Sequence, residues 1–164
     1  MNKFKTLILI LFANSFLFAQ QIEIPNNVKL ETADDYKNTE PQVIKAVDWL
    51  VNTPVSQNPE KRAAVNAFLL QWLSGSPSVS IVVATGVAPM DCGDCLMVFM
   101  GGWAKYSLNN NYSSDKIECA TAGVETAIEF YEKNKSALGK NSDMEKLIKQ
   151  KNKGKLKEYL QSKL

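Results

Sequence analysis

Apolar positions along the chain fall into helical stripes separated by polar turns. Val43, Ile44, Val47, Leu50 and Val51 recur at the i, i+3/i+4, i+7 spacing that gives a helix one buried face. Thr39 and Pro41 read as a cap and a first-turn proline, so this helix is expected to start at 38–41 and to end before Pro54. Asn58-Pro59-Glu60 is a second start signal. Val65, Phe68, Leu69, Trp72 and Leu73 form the stripe of a helix reaching Ser74, with Gly75 placed for a left-handed cap. From Asp94 to Leu108 the chain is apolar on nearly every side, which marks a central, enclosed helix. A further helix is expected from Ser113 or Ser114 to Lys133, with Ile117, Ala120, Val124, Ile128 and Tyr131 inward. Asn141-Ser142-Asp143 caps a helix carrying Met144, Leu147 and Ile148; Gly154 breaks it, and Leu156, Tyr159, Leu160 and Leu164 mark a last short amphipathic piece.

Residues 76–88 are ambiguous. The β-branched run Val79-Ser80-Ile81-Val82-Val83 has strand propensity, but a lone strand has nothing to pair with. Ser76-Pro77 resembles a cap followed by proline and Gly86 a stop, so a short buried helix is expected there. The pattern as a whole predicts an all-α fold: one bundle-like domain of five to seven helices over 38–164, without internal repeats.

The N-terminus follows a different logic. Lys3 and Lys5 precede the unbroken apolar run Leu7–Phe12, and Ala19 suits the position before a cleavage site. The run is too short for a span, which needs roughly 20 apolar residues. A signal peptide over 1–19 is therefore expected, with export to the periplasm or beyond the cell and no transmembrane span in the mature chain. Residues 20–37 carry no helical period and are expected to form an extended polar leader. The Lys- and Asn-rich body resembles that of small exported bacterial proteins, which implies nothing about activity.

Charge sharpens the picture in one place. Residues 20–132 hold 7 basic and 14 acidic side chains, whereas 133–164 hold 10 basic and 3 acidic. Complementary parts of one fold, plus a solvated lysine-rich helix, account for this better than a nucleic-acid partner, and none is expected. Arg62 is the sole arginine. The chain has no histidine, which removes the Ser/His/Asp and Cys/His templates and c-type haem attachment.

Candidate chemistry concentrates in Cys92-Gly93-Asp94-Cys95 and in Cys119. Cys92 just before a helix N-terminus, with Cys95 one turn on, is the arrangement of a thiol–disulfide exchange pair. Asp91 and Asp94 oppose it, since their charge disfavours a thiolate, and no thioredoxin-like βαβ pattern surrounds the motif. As disulfide candidates the three cysteines leave the pairing open: Cys92–Cys95, or either of them with Cys119. A zinc site is not expected, because structural zinc takes two such pairs and one is present. Met97, Met100, Gly101, Gly102 and Trp103 would line any internal pocket. The two glycines cost about 1 kcal/mol each inside a helix, which close approach of a neighbouring helix or a ligand would offset. The expected role is non-enzymatic: binding a partner protein or a small apolar ligand, or supporting an envelope structure, with no cofactor. The alternative is a redox protein acting through Cys92 and Cys95.

Overall fold

Thr32 starts the first helix. Its hydroxyl accepts the N–H of Asp35 (3.2 Å), and the Asp35 carboxylate accepts the N–H of Thr32 (2.9 Å), a reciprocal capping box. Helix α1 therefore runs Ala33–Asn52, several residues ahead of the start at 38–41 that the Thr39-x-Pro41 pattern predicts. Thr39 is not a cap but an interior residue whose hydroxyl donates to Asp35 O or Tyr36 O, and Pro41 sits within the helix. The computed structural model describes residues 22–23 and 28–164; the expected signal peptide lies outside them. Of the leader, Ile22 is buried in the core, and Val28 and Leu30 pack against it.

Five further helices follow: α2 Pro59–Gly75, α3 Gly93–Asn109, α4 Lys116–Leu138, α5 Ser142–Asn152 and α6 Leu156–Gln161. No strand is present among the described residues, so the fold is all-α, as the stripes require. The proline signal at Asn58-Pro59 works as read, although Asn58 is left-handed (φ 50°) and its side chain caps nothing. Gly75 corrects the cap reading. It is the last residue of α2, the cap is Ser76 at φ −60°, and a Cβ at Gly75 would collide with the Tyr36 hydroxyl. Close approach of α1 fixes that glycine, and Trp72 Nε1 donating to Tyr36 O (3.1 Å) fastens the same junction.

Residues 76–88 do not form the expected buried helix. They run as an irregular strap with one tight turn, in which Val87 and Ala88 donate to Ala84 O, and Gly86 stands at φ 80°. Positive φ at Gly86 breaks any helix through this stretch, and Pro77 and Pro89 bound it. Val79, Val87 and Ala88 are buried and pin the strap to the core.

Helix α3 is the central element. Gly101 and Gly102 mark where its neighbours come closest. A Cβ at Gly101 would lie 2.8 Å from Val47 of α1, and one at Gly102 2.5 Å from Thr126 of α4. From the other side, a Cβ at Gly123 of α4 would stand 2.7 Å from Phe99 O. Backbone-to-backbone packing of α3 on α4 thus offsets the helix cost of the glycines. Asp115, rather than Ser113 or Ser114, caps α4 by accepting from Ile117 N and Glu118 N, and the helix continues to Leu138 before Gly139 at φ 75° ends it. Trp72, Trp103, Tyr131, Phe99 and Phe130 are the largest fully buried side chains, and the core lies around α3, where α1, α2 and α4 pack against it. No helix among the described residues is long and apolar enough to cross a membrane.

Candidate functional site

Two places on α3 concentrate polar groups: its N-terminal corner and the groove beside its C-terminal half. At the corner Cys92 is the N-cap. Its Sγ accepts the N–H of Cys95 at 3.2 Å, and the two cysteines form a disulfide with Cα atoms 5.2 Å apart. Cys95 is fully buried and Cys92 is 9% exposed. Of the pairings left open by spacing, the adjacent one is made. Cys119 is a free thiol on α4, buried, with its Sγ 3.4 Å from Ser113 O. Burial pushes that thiol up, and the nearby Asp115 and Glu118 carboxylates add to the effect.

Arg62 completes the corner, and the sequence reading assigns it no role. Only 7% of its side chain is exposed. The guanidinium lies over the rings of both Trp49 (5.7 Å) and Phe130 (5.6 Å), cation–π contacts that join α2 to α1 and α4. Its Nη2 donates to Thr53 O at 2.6 Å, while Asp94 Oδ1, from within the disulfide loop, stands 3.9 Å from Nη1. Nε and Nη1 are buried without a hydrogen-bond partner. Burial lowers the guanidinium pKa from its ordinary value, and Asp94 partly restores it. A signal for Arg62 was present: it stands one turn ahead of Val65 in the stripe that continues through Phe68, Leu69 and Trp72.

The groove lies between α1, α3 and α4 and holds about 310 Å³. Val47, Val51 and Ala122 give it apolar surface; Asp48, Lys105, Asn109, Thr126 and Glu129 line its polar part. Lys105 Nζ pairs with Asp48 Oδ1 across the α1–α3 wall. Gly102 belongs to the lining, at the point where Thr126 packs against α3. Of the five residues expected at a pocket, Gly102 alone reaches this groove. Gly101 faces Val47, and Trp103 is buried edge-on against Phe99 at a centroid distance of 6.0 Å. Met97 and Met100 are half-buried against the core. No group of three metal-capable His, Cys, Asp or Glu side chains occurs among the described residues.

No protein-family model, no curated protein and no solved structure matches the chain.

Proposed function

We propose that this protein is an exported, disulfide-stabilised helical binding module, and that the groove between α1, α3 and α4 is its recognition site. The observation that carries this reading is the groove's composition: apolar walls from Val47, Val51 and Ala122 under a rim that offers both Asp48 and Lys105. Its volume is at the low end for small-molecule sites, roughly 300–1,000 Å³, and also fits one or two inserted side chains of a protein partner. An occupant with an apolar body and a polar or zwitterionic head matches both surfaces.

Native mass spectrometry of protein recovered from its own host tests the proposal. A retained small molecule or partner is expected, and Ala122→Trp, which fills the groove from α4, is expected to remove it without changing the melting temperature by more than a few degrees. Protein recovered bare, or a ligand retained unchanged by Ala122→Trp, would overturn the reading.

A second reading, thiol–disulfide exchange, draws on the Cys92 Sγ at the N-terminus of α3, where the helix dipole and the Cys95 N–H favour a thiolate. Burial of both sulfur atoms and the neighbouring Asp91 and Asp94 weigh against it. Resistance of the pair to glutathione supports the binding module. Ready reduction with rapid alkylation of Cys92 would make redox chemistry the better account.

A further inference from the structure

Nine of the ten lysines from 133 onward fall into two sets. One set is ion-paired: Lys133 with Glu129 (2.6 Å), Lys135 with Glu145 (2.5 Å) and Lys157 with Glu118. The other set, Lys146, Lys149, Lys151, Lys153, Lys155 and Lys163, is exposed and makes no ion pair among the described residues. From Lys146 to Lys157 there are six lysines and no acidic residue.

Geometry gathers most of this charge on one side. Met144, Leu147 and Ile148 turn α5 toward the core, which leaves Lys146, Lys149 and Lys153, spaced i, i+3 and i+7, along its outer face. Lys146 and Lys163 both stand over the Tyr159 ring, at 5.4 and 5.8 Å, so the turn after α6 adds its ammonium to the same surface. Lys151 lies apart, in a groove with Glu125, Glu129 and Glu132 of α4. None of the remaining ammonium groups is ion-paired among the described residues, Asp143 and Glu158 being the unpaired carboxylates on these two helices, and an external polyanion would relieve the excess positive charge.

We infer that the outer face of α5 and the α5–α6 turn form an electrostatic docking surface for an anionic phospholipid bilayer. Three features favour a bilayer over a nucleic acid. The cations are all lysine, mobile point charges suited to a diffuse field of headgroups, whereas arginine's planar fork suits fixed phosphate geometry. The aromatic of the patch, Tyr159, has lysines over its ring and offers no free platform for a base. Leu164, 37% exposed three residues beyond α6, adds an apolar side chain to the same region.

Co-sedimentation of the purified protein with phosphatidylcholine vesicles, with and without about a quarter phosphatidylglycerol, tests this at about 0.05 M and 0.5 M salt. Binding is expected to the anionic vesicles at low salt only. Each lysine near the surface contributes about a fivefold gain, so Lys149→Gln/Lys153→Gln/Lys155→Gln should weaken binding roughly 100-fold. The same charge change placed on the body, Lys37→Gln/Lys45→Gln/Lys116→Gln, should weaken it only a few-fold. All six side chains are exposed, and unchanged circular dichroism verifies the fold. Absence of vesicle binding, equal loss from the two triple variants, or tighter binding to a DNA duplex than to the vesicles would overturn the assignment.

Discussion

The two halves of α4 are held by different physics. Its first half, Cys119 to Thr126, meets α3 through small residues: Gly123 lies under the Phe99 carbonyl, and Thr126 fits against Gly102. Nothing polar specifies that contact; volume does. Its second half, Phe130 to Leu138, is fastened by polar groups. Phe130 backs the Arg62 guanidinium, Asn134 Oδ1 accepts the N–H of Val55 (2.8 Å), and the Tyr131 hydroxyl lies 3.1 Å from both Gly139 O and Glu145 Oε1. One helix thus carries a seam that tolerates no added atom and a seam whose strength depends on protonation and pairing. The difference is testable because the two kinds of contact respond to different perturbations.

The largest effect is expected at the tight seam. Gly123→Val places a branched side chain against the Phe99 backbone, which cannot move without shifting α3. A loss of about 3 kcal/mol or more in urea unfolding is expected, at the upper end for overpacked cores. A loss below about 1 kcal/mol would show that α3 and α4 can separate freely, and the volume argument would fail.

At the polar seam the instructive test is a pair of substitutions. Arg62→Ala removes the packing of Trp49 and Phe130 on the guanidinium and leaves a void, with an expected cost of about 2–3 kcal/mol. Arg62→Met keeps most of the volume and discards a buried charge with two unpartnered nitrogens. Hydrophobic replacement of buried charges is often neutral, so this variant should lie within about 1 kcal/mol of the parent. Equal losses from the two would mean that charge, not packing, holds the corner. Asn134→Ala should cost about 1–2 kcal/mol, because the Val55 N–H loses its acceptor.

Much of this architecture was legible in the stripes. Val65, Phe68, Leu69 and Trp72 lie on one face wherever α2 packs, and the all-round apolarity of 94–108 demands an enclosed helix. What escaped were contacts that no local pattern encodes. The start of α1 depends on Asp35 closing a capping box in which Glu or Gln is the commoner partner, so Thr39 and Pro41 drew attention instead. The strap at 76–88 keeps its extended chain because its buried valines give it tertiary anchorage that a lone strand would lack. Gly75 and Gly102 each answer to one neighbouring side chain, Tyr36 and Thr126, distant in sequence. The groove exists only where three helices meet, and for that reason Gly102 alone among the expected lining residues reaches it.

The smallest effect separates the two seams most cleanly. The Glu145 carboxylate is held below its ordinary range chiefly by the hydrogen bond from Lys135, with Tyr131 contributing, and Lys135 is correspondingly raised. A carboxylate whose folded pKa is depressed contributes stability above its unfolded value, and that contribution disappears as the pH falls through the folded one. The raised lysine gives the mirror image, with a contribution present at neutral pH and lost as the pH climbs past its folded value. Glu145→Gln removes the pair and should flatten the stability profile at both edges. Its urea midpoint should lie below the parent's at neutral pH and converge with it in strong acid, where the parent's Glu145 is protonated. Gly123→Val, by contrast, should run parallel to the parent from acid to alkali, because a steric collision carries no proton. If Gly123→Val also changed the slope, or if Glu145→Gln ran parallel, the division of α4 into a steric and an electrostatic half would be wrong.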